Sequence, residues 1–281
     1  MSENKNPIGL VALDLDGTTL NDEGRLGERT RAAFKAAMER GVHIVIATGR
    51  SVKGLPQEML GMDGIDYAIT SNGALITDLR TGERIYKNCI APESADMIID
   101  YLSTLDLYYE CFTGDVAYMD ESFDNEEMLS KYGTPPGSMN YVRTTRTPVP
   151  NLLQFMRDHR EDIENINVIF ADPEYRLSMF DEFRKIPGIT PTSSLKRNIE
   201  LGGETTSKAT AMVELGKMLG VEPERIMACG DSLNDMAMMQ AAGVAIAVDN
   251  ASQQLKDIAT FVAPDNNSDG VGVAIEKFVL V

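Results

Sequence analysis

The sequence predicts an α/β fold: a doubly wound core of parallel strands, interrupted by an inserted α+β domain. Three observations carry this. Short, nearly continuous apolar runs alternate with helical segments near the amino terminus, as buried parallel strands and their crossover helices do. The same alternation resumes after Gly202. The stretch between has half-polar strands bounded by proline and glycine, the pattern of a sheet covered by helices on one face. The expected boundaries are 1–86 and 202–281 for the core and 87–201 for the insertion.

Each element follows from local pattern. Gly9 to Leu15 (GLVALDL) reads as a strand buried on both faces. Thr30 to Arg40 is Ala-rich and helical, and Gly41 stops it. Val42 to Ala47 is β-branched and apolar, a second strand. Ser51 to Met62 reads as a weaker helix. Tyr67 to Thr70 reads as a third strand ending at Ser71-Asn72-Gly73, before a hairpin turning near Thr81-Gly82. In the insertion, helices are expected at Glu93–Leu105, Phe123–Tyr132, Asn151–Ile163 and Glu174–Lys185. Its strands are expected at Tyr108–Phe112, Val116–Met119, Asn167–Phe170 and Asn198–Leu201, with Thr134-Pro135-Pro136-Gly137 a loop. After Gly202, helices are expected at Ser207–Leu219, Asn234–Ala242, Ala251–Ile258 and Gly270–Phe278. They alternate with strands at Arg225–Cys229, Val244–Val248 and Thr260–Ala263. Such β–α–β units imply right-handed crossovers and a Rossmann-like core.

Composition narrows the function. The chain has 281 residues, 43% of them hydrophobic, enough for a substantial core and for about two domains. No apolar run approaches the ~18–20 residues needed to cross a bilayer, and Met1 to Pro7 lacks the apolar core of a secretion signal. Three distant cysteines, Cys89, Cys111 and Cys229, indicate neither a disulfide framework nor a zinc site. A cytoplasmic location is expected. The net charge of −17 argues against nucleic acid or an anionic membrane as partner.

Four polar clusters carry chemistry, since open α/β sheets bind ligands beyond the carboxyl ends of their strands. The first is Asp14-Leu15-Asp16-Gly17-Thr18. Residues two apart share a face on a regular strand, so the two aspartates can converge on one centre. Carboxylate oxygens suit Mg2+; a turn or helix cap would use the same residues. The second is Thr48-Gly49-Arg50, where a hydroxyl and a glycine amide can hold a phosphate oxygen, although an ordinary glycine turn looks the same. The third is Lys208, placed in a first helical turn against the macrodipole. Ser207 stands where an ATP-binding P-loop requires glycine, so that motif is absent. The fourth is Gly230-Asp231-Ser232-Leu233-Asn234-Asp235, a second acidic group at a strand terminus.

In order, DLDGT, ATGR, the lysine and GDSLND-MAM resemble the haloacid dehalogenase superfamily. Ser71-Asn72-Gly73-Ala74, Asn250-Ala251 and Asp269-Gly270-Val271 add a resemblance to its Cof-type subfamily, which carries a large cap after the third core strand. Ala209 departs from the glycine the family often has after the lysine. The resemblance implies Asp14 as nucleophile and Asp16 as general acid and base. It implies Mg2+ held by Asp14, the Asp16 carbonyl and Asp231, with Ser232 or Asp235 in support. Phosphate oxygens would meet the Leu15 and Asp16 amides, Thr48, Gly49, Lys208 and Asn234. A metal and a lysine would reverse the acidic field where the phosphate binds. The implied activity is a Mg2+-dependent phosphatase acting on small phosphorylated metabolites such as sugar phosphates. A phosphomutase of the same superfamily and a non-catalytic phosphate sensor are the alternatives; a pure binder has no need of a nucleophile. His43, Met236, Met238 and Met239, with the insertion aromatics Tyr108, Tyr109, Phe112, Tyr118 and Phe123, are expected to pack in cores, and His159 to be solvated.

Overall fold

The apolar runs at the two ends of the chain become strands of one sheet. The computed structural model describes residues 7–281. In chain order, β1 (Leu10–Leu13), α1 (Glu28–Glu39), β2 (His43–Ala47), α2 (Gln57–Leu60), β3 (Tyr67–Thr70), β4 (Leu75–Asp78) and β5 (Glu83–Lys87) come first. The insertion holds α3 (Pro92–Leu102), β6 (Tyr108–Thr113), β7 (Val116–Asp120), α4 (Glu126–Lys131), α5 (Pro136–Thr145), β8 (Arg146–Val149), α6 (Leu152–Asp158), β9 (Ile163–Ile169), α7 (Pro173–Phe183), β10 (Ile189–Thr192) and β11 (Asn198–Gly203). The chain ends with α8 (Lys208–Leu219), β12 (Ile226–Gly230), α9 (Met236–Ala241), β13 (Val244–Val248), α10 (Gln253–Ile258), β14 (Phe261–Ala263) and α11 (Gly270–Phe278).

Two compact units result: 1–49, 55–86 and 207–281 form one, and 50–54 with 87–206 form the other. In the first, an eight-stranded sheet runs β14-β13-β12-β1-β2-β3-β4-β5. Strands β14 through β3 in that order pair in parallel, and β4 is antiparallel to β3. Strand alternation splits its side chains between two faces. Leu10, Ala12, Val45, Ala47 and Ala228 pack in one cluster with Met212 and Leu215 of α8, Met238 of α9 and Leu255 of α10. Val11, Leu13, Ile44 and Ile46 alternate with them and are equally buried. Helix α1 packs on β2 and on α11, which reaches β13 and β14. Helices therefore cover both faces, as a doubly wound sheet requires. The adjacent strands β12, β1, β2 and β3 all deliver their carboxyl ends to the same edge, placing Asp231, Asp14, Thr48 and Ser71 there.

The second unit is a six-stranded sheet ordered β10-β11-β9-β6-β7-β8, antiparallel except for β7 and β8. Cys111, Ile166, Val168 and Leu201 on one face pack with Ile98, Met156 and Phe183 from α3, α6 and α7. Tyr108 and Phe112 are buried, and Tyr108 stacks on Phe123 with ring centroids 4.7 Å apart.

Several local expectations need correction. The stretch 134–137 is not all loop, because Pro136 starts α5, as proline favours a first helical position. Strands β8 and β10 contain Pro148 and Pro191 and lie at the two edges of their sheet, where a missing N–H is tolerated. The helix expected at 151–163 stops at Asp158, and Ile163 already begins β9. Residues 51–62 break into a 3₁₀ turn and α2, with Pro56 capping α2. Residues 202–206 group with the insertion because Gly203 still pairs with Ile189. His43 begins its strand and is half-buried rather than central to the core.

Candidate active site

The residues singled out for chemistry lie in the first unit, except Arg50 of the second cluster, which groups with the inserted unit. Strand β1 ends at Leu13, so strand alternation does not relate Asp14 to Asp16 as expected. Asp14 continues the β1–β12 ladder by donating its N–H to Cys229 O at 3.1 Å. Beyond it the chain coils into a tight turn, with the amides of Thr19 and Leu20 donating to Leu15 O. Asp14 and Leu15 are buried and Asp16 is exposed. Gly17 adopts φ 76°, and a Cβ there would stand 2.9 Å from Asp231 Oδ2, so only glycine fits this turn.

Lys208 is the first residue of α8, after Ser207, whose hydroxyl caps the helix through the Thr210 N–H. It is 1% exposed, and its Nζ donates to Asp14 Oδ1 and Asp235 Oδ1, both at 2.7 Å. The buried Asp235 turns its other oxygen to the Asp231 and Ser232 amides, each at 3.1 Å. Ser232 Oγ accepts the Asp235 N–H and donates to Asn234 Oδ1 at 2.8 Å. Thr18 Oγ1 donates to Asp231 Oδ1 at 2.9 Å. The buried Thr48 donates its N–H to Ile69 O and accepts the Asn72 N–H at 3.0 Å. Gly49 follows it, half-buried.

The charges are unbalanced. Burial pushes the Asp14 carboxyl well above its usual range; Lys208 opposes this, while Asp235, Asp231 and Asp16 add to it. Burial, then Asp235, raises Asp231 to about 6. Burial alone would depress the Lys208 ammonium, but Asp14 and Asp235 outweigh it and raise it. Asp14, Asp231 and Asp235 offer oxygens that lie within 4.8 Å of one another. Asp14 Oδ2 is buried with no hydrogen-bond partner among the described residues. Hard oxygen donors, surplus negative charge and an orphaned carboxylate oxygen fit a divalent cation.

Three residues were missed from the sequence as parts of this centre. Thr18 stood within the first motif. Asn72 accepts from Asn234 Nδ2 at 3.1 Å. Asn250 donates to Gly17 O at 2.7 Å and accepts the Asn266 N–H, pinning the turn that carries Asp16. Asn72 and Asn250 were visible only as fragments of the family resemblance. Asp269, another such fragment, lies elsewhere and caps α1 through the Thr30 N–H and hydroxyl.

Ser71, Asn72 and Gly73 are successive left-handed residues, at φ 49°, 56° and 98°. A Cβ on Gly73 would stand 2.1 Å from Ser207 O, the cap of the helix that presents Lys208. Gly73→Ala should therefore destabilise the protein by at least ~2 kcal/mol, from strain plus overlap. Urea unfolding checks this, and a loss below ~0.5 kcal/mol would contradict the close approach.

The sequence profile of the haloacid dehalogenase-like hydrolases matches residues 11–275. The 5-amino-6-(5-phospho-D-ribitylamino)uracil phosphatase YwtE of Bacillus subtilis is 31% identical, over 96% of this chain and 97% of its own. YcsE, a phosphatase of the same name from the same organism, is 28% identical over 97% and 96%. Among solved structures, a haloacid dehalogenase-like hydrolase from B. subtilis superposes with a TM-score of 0.85 at 28% identity, covering 96% of this chain and 99% of that one.

Proposed function

The chain belongs to the haloacid dehalogenase-like hydrolase family and is a phosphoric monoester hydrolase, and from that premise we propose that it uses Asp14 as nucleophile and Mg2+ as cofactor. One observation carries the assignment. The Asp14 carboxylate is buried and fixed through Oδ1 by Lys208, while Oδ2 has no partner among the described residues.

Asp14 attacks phosphorus in line, and the bond to the leaving alkoxide breaks as the aspartyl-phosphate forms. Asp16 protonates that alkoxide, then takes a proton from the water that hydrolyses the intermediate. Its exposure leaves it open to both partners. Lys208 spends two of its three hydrogens on Asp14 and Asp235, leaving one for a phosphoryl oxygen. The Leu15 and Asp16 amides, Thr48, Gly49 and Asn234 hold the remaining oxygens. Asp14, the Asp16 carbonyl and Asp231 would hold Mg2+, with Asp235 or Ser232 in support, and the ion would neutralise phosphoryl charge.

The substrate class is a small sugar or polyol phosphate, in line with the ribityl phosphate named for YwtE. We assign the core to the first unit and leaving-group selection to the inserted unit, as its cap domain. No helix among the described residues is long and apolar enough to cross a membrane. The three cysteines are free, which suits a reducing cytoplasm.

Phosphate release from a panel of small esters tests the proposal. EDTA should abolish turnover and Mg2+ restore it; activity indifferent to chelation would refute the cofactor assignment. A second outcome follows from Asp231. Its folded value of about 6 lies above the ordinary 3.8, so in metal-free protein its contribution to stability is present below pH ~4 and lost as pH rises through 6. Mg2+ binds the ionised form. Its addition should therefore raise Tm more at pH 7.5 than at pH 5; an equal or larger shift at pH 5 would count against these ligands.

A further inference from the structure

We propose that Asn72 is a further substrate contact, its Nδ2 donating a hydrogen bond to a phosphoryl or ester oxygen bound beside Thr48 and Asn234. This rests on the phosphatase mechanism above and adds a residue to it.

A chain of hydrogen bonds leads to Asn72. The Ser232 hydroxyl accepts the Asp235 N–H and donates to Asn234 Oδ1 at 2.8 Å. Asn234 in turn donates from Nδ2 to Asn72 Oδ1 at 3.1 Å. The other end of the Asn72 amide is consequently a donor. That Nδ2 is buried and has no hydrogen-bond partner among the described residues, in a side chain only 5% exposed. Buried donors in folded proteins are nearly always satisfied, and an orphan opposes folding.

The backbone opposes folding as well. Asn72 lies at φ 56° between Ser71 and Gly73, both left-handed, and such strain persists where surroundings over-determine it. Here the Asn72 N–H is tied to Thr48 O, and Gly73 is pressed against Ser207 O. Asn72 is thus bracketed by residues assigned to phosphate, with an unused N–H₂ group. An anionic oxygen accepts from such a donor, and a carboxylate in its place would repel it.

Two substitutions test this, with inorganic phosphate as probe. Asn72→Gly deletes the amide at a backbone position where glycine is unstrained. Asn72→Asp keeps the shape and the acceptor for Asn234 but removes the donor. Each should raise the competitive inhibition constant for phosphate at least 10-fold and lower kcat/KM by 10-fold or more, the aspartate variant further. Either variant remaining within twofold of wild type on both measures would overturn the proposal. Asn72 acting only by holding Asn234 would make Asn72→Gly silent in an Asn234→Ala background. A direct contact predicts a further loss there, and no further loss also overturns the proposal. Turnover by Asp14→Asn would sink the nucleophile assignment instead, since the phosphate constants of the Asn72 variants still judge Asn72 itself.

Discussion

Asp14→Asn should lower phosphate release by at least ~10³-fold while leaving the protein folded. The amide cannot form the acyl-phosphate, and the neighbouring carboxylates have other work. Asp235 is held by Lys208 and by two backbone amides, and Asp231 is bonded by Thr18. Stability should be unchanged or raised. Burial is the largest influence on the Asp14 carboxyl, and three further acidic groups repel its charge. A neutral amide of the same shape escapes that cost but gives up the charge pairing with Lys208. The proposed nucleophile is thus a group whose charge burial disfavours, the usual basis of a stability–activity conflict. Steady-state assay and thermal melting together check this. A variant retaining more than ~1% of wild-type turnover would remove Asp14 from the role of nucleophile.

The members of the buried charged centre were legible where residues break a local rule. Carboxylates following an apolar run, and a lysine in the first turn of a helix, are locally unfavourable, and Asp14, Asp231 and Lys208 stand out for that reason. The parallel core strands were legible because burial on both faces demands unbroken apolar runs. What escaped depends on contacts distant in sequence. Asp14 and Lys208 meet across a separation of 194 residues, and no local pattern states that Asp235 lies on the other side of the same ammonium. The expected strand runs two residues past Leu13, because turn geometry there is set by Thr18, Asp231 and Asn250 rather than by alternation. Edge strands with proline and a helix starting at Pro136 escaped because proline marks both loop and element boundary.

Lys208→Met should be the most destabilising substitution in the centre, and its effect should grow with pH. The side chain is fully buried, and its ammonium is shared by two buried carboxylates. Removing one partner of a buried ion pair costs ~3–5 kcal/mol, because the remaining charge stays desolvated and unpaired. Methionine fills much of the space, so a cavity contributes little. The sign of the pH effect follows from Asp14. Lys208 holds the Asp14 carboxyl down against burial and its acidic neighbours, so the substitution lifts the folded value further above the unfolded ~3.9. A group raised in this way contributes fully below that unfolded value and loses its contribution as pH climbs. In metal-free buffer the deficit relative to wild type should be greater at pH 8 than at pH 5. Turnover should fall at least ~10²-fold at either pH, since a preorganised cation facing the phosphate is gone. Urea unfolding at the two pH values decides the matter. Wild-type stability at pH 8 would show that Lys208 does not offset the buried Asp14 charge, against the ion-paired centre described above.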